Sequence, residues 1–113
     1  MEKLSLHALA EEQLEAARRA SAGRSAVTCV GGRDRVLRQT LLALGAGREL
    51  AEHDNPGEAT VLVLRGRVRL DAGETSWEGG PGDLLVIPPC RHGLTALEDA
   101  AVLLTVAVTT IDG

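Results

Sequence analysis

Between residues 26 and 110 the chain is cut into short runs of β-branched and aliphatic residues, and glycine or proline ends nearly every one. The runs fall at 26–30, 36–44, 49–53, 60–65, 67–72, 75–78, 84–87, 94–97 and 101–110. Between them stand Gly31-Gly32, Gly45-Ala46-Gly47, Asn55-Pro56-Gly57, Gly66, Gly73, Gly79-Gly80-Pro81-Gly82 and Pro88-Pro89. Glycine admits the positive φ of tight turns and proline cannot continue a strand ladder, so this punctuation predicts many short strands joined by turns. No helical pattern of 10–15 residues, the usual crossover length, separates the runs, which disfavours a parallel α/β sheet. The expectation is an all-β sandwich or barrel.

The segment 5–21 has a different period. Leu6, Leu9, Ala10, Leu14 and Ala17 recur at spacings of three and four, with Glu11, Glu12, Glu15, Arg18 and Arg19 on the other positions. That is the stripe of an amphipathic helix. Ser5 suits the N-cap, the two arginines suit the negative C-terminal end, and Gly23 stops the helix. The stripe is modest and its polar face carries acids, so packing on a sheet or a neighbouring subunit is expected rather than a membrane surface. His7, near the cap, is expected to face solvent. The division expected is 1–24 for the helical segment and 25–113 for a single β domain.

What fills the interior is narrowed by composition. Hydrophobic residues make up 44% of the 113, and 13 glycines come besides, while Trp77 is the single aromatic residue. A core forms, and it is built of Leu, Val and Ala. Without rings there is no stacking platform for single-stranded nucleic acid and no cage for a quaternary ammonium group. A net charge of −4, with no basic stripe, argues against nucleic acid as a partner. Cys29 and Cys90 lack C-x-x-C spacing and are too few for a disulfide framework. The first residues do not read as a signal peptide, and the apolar run 100–111 is too short to span a bilayer. A cytoplasmic, soluble domain with no membrane partner is the expectation.

Several residues carry the question of chemistry. Arg65, Arg67 and Arg69 alternate with Gly66, Val68 and Leu70, so the second strand of this hairpin presents a basic outer face. That pattern suits a solvated face that also blunts edge pairing; an anion site is the competing reading. Trp77 is expected to pack, and Cys90 to behave as a small buried or half-buried hydrophobe. Gln39 and Thr40 each offer a polar group, and the sequence leaves open which of them faces inward.

From Gly47 to Gly66, and again from Gly82 to His92, the sequence resembles the cupin family of small β-barrels, the double-stranded β-helices. The family's first motif is G-x5-H-x-H-x3,4-E-x6-G. Here it runs through Gly47, His53, Asn55, Glu58, Ala59 and Gly66. The second motif is G-x5-P-x-G-x2-H-x3-N, and here it runs through Gly82, Pro88, Pro89, Cys90, Arg91 and His92. The resemblance covers about residues 34–110 and leaves the helix outside. It implies a cupin-type jelly-roll barrel preceded by one α-helix. It also implies homodimers.

Family members with a catalytic metal commonly hold it with two His and a Glu from the first motif and a His from the second. On this sequence His53 takes the first ligand position, Asn55 replaces the second His, and Ala59 falls where the Glu belongs. His92 comes one residue early, which leaves its direction open. Two imidazoles are few for a first-row metal, which usually meets three or four protein groups. Glu58 and Cys90 are the candidates for a third ligand, although residues 58 and 59 point to opposite faces of an extended chain. The pocket residues expected are therefore His53, Asn55, Cys90 and His92. They imply a cupin that binds a small molecule with no cofactor. The alternative is a metal-dependent cupin enzyme of the dioxygenase, isomerase or decarboxylase type, holding a divalent metal ion through His53 and His92.

Overall fold

Ser5 sets the start of the only helix among the described residues. Its hydroxyl accepts a hydrogen bond from the Ala8 amide at 3.2 Å, and α1 runs Leu6–Arg19. The C-cap, Ala20, is already extended, so the helix ends before Gly23. Gly23 instead makes the turn into the first strand, with φ +69°. In this computed structural model residues 2–53 and 57–108 are described, with backbone only at 52 and 53.

Among the described residues nine strands follow α1: β1 (Arg24–Val30), β2 (Leu37–Leu44), β3 (Glu49–His53), β4 (Gly57–Arg65), β5 (Val68–Ala72), β6 (Thr75–Gly79), β7 (Leu84–Ile87), β8 (His92–Ala96) and β9 (Ala100–Val108). They lie close to the nine runs expected. The largest differences are at β4, which begins three residues earlier, and at β1 and β8, which each begin two residues earlier. Residues 109 and 110, expected to extend the last strand, lie outside the described residues. The strands form a five-stranded sheet, β1-β2-β9-β4-β7, and a four-stranded sheet, β3-β8-β5-β6. Every pairing is antiparallel. The expected all-β jelly roll is present, as two facing sheets that hydrogen bonds among the described residues do not join into a closed ring.

Alternation along the strands divides the apolar residues into two cores. Leu42, Leu44, Ala59, Val61, Val63, Val68, Leu70, Ile87 and Leu94 pack between the sheets with Ala96, Ala100 and Val102. The residues between them in sequence face outward, where Leu41, Ala43, Ala101 and Leu103 meet Ala10, Leu14 and Ala17 of α1. Alanines on both sides of this contact let the helix lie close to the sheet. Burying Leu14 there contributes roughly 1.5–3 kcal/mol. Arg65 ties the same helix to the end of β4 through Glu11 (2.9 Å) and His7 (2.9 Å). His7 itself is exposed.

The three arginines of the hairpin do not share an anion. Arg65 reaches Glu11, Arg67 reaches Glu78 at 3.5 Å, and Arg69 reaches Asp71 at 3.2 Å. Gln39 and Thr40 separate by the same alternation. Gln39 lies on the outer face and donates from Nε2 to Thr105 Oγ1 at 3.1 Å. Thr40 occupies the inward row, paired with Thr28 and Leu104.

Candidate ligand-binding site

Between the sheets the aliphatic side chains leave a small space. It is lined by Leu42, Leu50, Val61, Leu70, Ile87, Leu94, Val102 and Leu104, with His92 as the one polar residue among the described residues. The centre of a water-sized sphere can move through about 20 Å³ of it. That is room for about one water molecule or methyl group, since one such centre takes roughly 10–15 Å³.

His92 is 4% exposed and opens β8. Its side chain faces inward, which answers the question its shortened motif left open. Nδ1 lies 3.1 Å from the carbonyl oxygen of Cys90. A carbonyl only accepts, so Nδ1 is the protonated nitrogen, and in the neutral ring Nε2 carries the lone pair. The backbone of the β7–β8 turn thus selects the tautomer. His53, at the end of β3, is the register partner of His92. Its side chain, like the whole of Asn55, lies outside the described residues.

Two expected contributors are elsewhere. Cys90 is exposed and does not line the space, contrary to the expectation of a buried or half-buried thiol. The Pro88-Pro89-Cys90 segment closes in a three-residue turn, with the Cys90 amide donating to Pro88 O at 2.7 Å, beyond the end of β7. The thiol therefore stands outside the barrel wall while its own carbonyl serves His92. Glu58 is exposed on the outer face of β4 and pairs in register with Ala107, whereas Ala59 is buried and pairs with Val106 and Ile87. Bringing the Glu58 carboxylate inward requires a one-residue slip, which would turn Val61 and Val63 out of the core. Trp77, expected to pack, is 43% exposed. It stands opposite Leu70 in β6, the edge strand of the four-stranded sheet, so only part of the ring is covered.

Sequence reasoning passed over Arg38. It sits two residues before Thr40, in register with Val106, at the outermost inward-facing position of β2. Counting by twos back from Leu42 along β2 finds it.

Residues 40–108 match the family model of the cupin domain. This chain belongs to the cupin family. No curated protein matches it. Among solved structures it is similar to a conserved protein of unknown function from Streptococcus pyogenes, at 27% identity and TM-score 0.72, covering 80% of this chain and 79% of that one. It is also similar to an RmlC-like cupin protein from Desulfovibrio desulfuricans, at 26% identity and TM-score 0.64, over 74% and 81% of the two chains. The DMSP lyase DddQ from Ruegeria pomeroyi has the same fold at 18% identity and TM-score 0.67, over 80% of this chain and 49% of that one.

Many cupins carry a metal between the sheets, which makes the donor set at this position decisive. Among the described residues no three His, Cys, Asp or Glu side chains converge. Ala59 fills the inward position of the family's glutamate, and the two candidate replacements point away. The described residues do not fit a metal centre.

Proposed function

We propose that this cupin binds a small molecule between its sheets without using a catalytic metal. The observation that carries the reading is the lining. Among the described residues a single buried imidazole of defined tautomer meets a wall of leucine, isoleucine and valine, the usual pattern of an apolar site oriented by one polar group. Such a site holds a small aliphatic group by burial and positions an attached polar atom against His92.

Metal analysis after purification without added metal tests the reading directly. The expectation is well under one equivalent of iron, manganese, nickel or zinc per chain. One tightly held equivalent that disappears in His53→Ala and in His92→Ala would overturn it and support the metal-dependent enzyme instead.

A further inference from the structure

The inward-facing rows of the barrel are almost free of charge. On the five-stranded sheet, β2 contributes Arg38, Thr40, Leu42 and Leu44 to them, and β9 contributes Ala100, Val102, Leu104, Val106 and Val108. From β4 come Gly57, Ala59, Val61 and Val63, and from β7 Leu85 and Ile87. On the facing sheet, β5 gives Val68, Leu70 and Ala72, β6 gives Thr75, Trp77 and Gly79, and β8 gives His92, Leu94 and Ala96. Across these seven strands one inward position holds a formal charge, and it is Arg38. Arg24 of the edge strand β1 shares the row of Leu44, at the opposite end of the sheet.

Arg38 stands at the end of the barrel where His92 lies. Its row contains Val106, Ala59 and Ile87, the last of which lines the space beside His92. The row of Leu104, which also lines that space, is two residues away along β2, about 7 Å. The hairpin arginines 65, 67 and 69 are all paired with carboxylates, and Arg91 in the nearby turn is also engaged. The Arg38 guanidinium has no hydrogen-bond or ion-pair partner among the described residues. Glu58 is in the same part of β4 but on the outer face, and Asp71, on the outer face of β5, is held by Arg69 and Ser76. A guanidinium is permanently charged and presents parallel N–H donors matched to two carboxylate oxygens.

We infer that the ligand is a short aliphatic carboxylate, its carboxylate held by Arg38 at the rim and its hydrocarbon end directed into the space beside His92. This rests on the proposed small-molecule site and specifies its ligand class. The small volume sets the length of the tail, and Arg38, the single charge among the inward-facing residues of these seven strands, matches one anionic group.

Calorimetric or NMR titration with propionate and with propionamide, its neutral isostere, tests the inference. Propionate should bind, and propionamide at least about tenfold more weakly, the difference a bidentate charge-assisted pair supplies. Arg38→Gln should lose about the same factor for propionate and nothing for the amide, while Arg38→Lys keeps part of it as a point charge without the fork. Arg35→Gln, in the neighbouring exposed loop, should match the wild type. Equal binding of acid and amide would overturn the carboxylate assignment and leave the barrel site standing. Unchanged propionate affinity in Arg38→Gln would equally overturn it. Failure of both ligands to bind would remove the barrel site along with it.

Discussion

The two ends of the barrel are built on opposite plans. At one end the chain ties itself down. The Ala46 amide donates to Asp99 Oδ1 at 2.8 Å, the Gly45 amide to Gly23 O at 2.8 Å, and the Gly47 amide to Ala96 O at 2.8 Å. The Leu97 amide donates to Arg67 O at 2.8 Å, and the Gly66 turn presses against Asp99. At the other end stand His92, the exposed Cys90, Arg38 and the prolines of the β7–β8 turn. Backbone hydrogen bonds already made within the chain have nothing to offer a ligand, whereas at the second end the Arg38 guanidinium has no partner among the described residues. The tied end holds the two sheets together, and the loose end is where recognition is expected. Substitutions should therefore cost stability at the first end and affinity at the second.

Gly66 is the strongest test of that division. Its φ is +71°, and a Cβ added there would lie 2.1 Å from the carbonyl oxygen of Asp99 and 2.9 Å from Ala100 Cα. Both obstacles are backbone, which cannot swing aside as a side chain can. Gly66→Ala should cost about 3 kcal/mol or more, combining left-handed strain with the clash, or prevent folding altogether. Urea unfolding or the yield of soluble protein reads the effect. A variant as stable as the wild type would show that the tied end is not what holds the sheets. Arg38→Gln at the other end should stay within roughly 0.5 kcal/mol, as exposed substitutions usually do.

A smaller effect separates two roles of Asp99. Its Oδ1 accepts from the Ala46 amide at 2.8 Å, and its Oδ2 lies 3.6 Å from Arg18 Nε, with both side chains largely exposed. A hydrogen bond from a backbone amide to a carboxylate contributes about 1.5–3 kcal/mol at best and less where water reaches it. The exposed ion pair contributes about 0–1 kcal/mol. Asp99→Ala should thus cost about 1 kcal/mol and Arg18→Ala much less, in chemical denaturation. Equal losses would assign the stabilisation to the ion pair instead of the loop.

The tied end was the more legible of the two in the sequence. Gly45, Gly47 and Gly66 mark its turns by composition alone, and between the two ends the alternation of β4 by itself places Val61 and Val63 inside. The mouth was harder for definable reasons. One residue fewer than the family motif between Pro89 and His92 leaves the His92 side chain without a register until the β8 pairing supplies one. Cys90 reads as apolar by type, yet its exposure follows from a three-residue turn after two prolines. Trp77 packs less than a lone aromatic suggests because β6 is an edge strand, a fact of topology rather than of residue type. The partners of Arg65 lie in a helix more than 50 residues away, which no local pattern indicates. Arg38 was within reach, since parity along β2 alone places it inward, but an arginine in a strand draws attention only once its neighbours prove to be paired.

The smallest expected effect lies at the edge of the mouth, on the outer face of the four-stranded sheet, and it is a pH dependence. The Ser76 hydroxyl donates to Asp71, and Arg69 lies 3.2 Å from it. The hydroxyl is the main cause that holds the Asp71 carboxyl below its ordinary range; partial burial opposes it, and the guanidinium adds to it. A carboxyl whose folded pKa is lowered contributes stability that is fully present above its unfolded pKa, about 3.9, and is lost as pH falls through the folded value. Because the group is partly exposed and screened, the contribution is under about 1 kcal/mol. Asp71→Asn should therefore flatten the stability profile below about pH 4 and leave the slope at neutral pH unchanged. Ser76→Ala, which removes the largest cause, should flatten it in part. If the acid slope is identical in all three proteins, the Asp71 cluster contributes nothing to stability at this edge, and the two ends differ more sharply still.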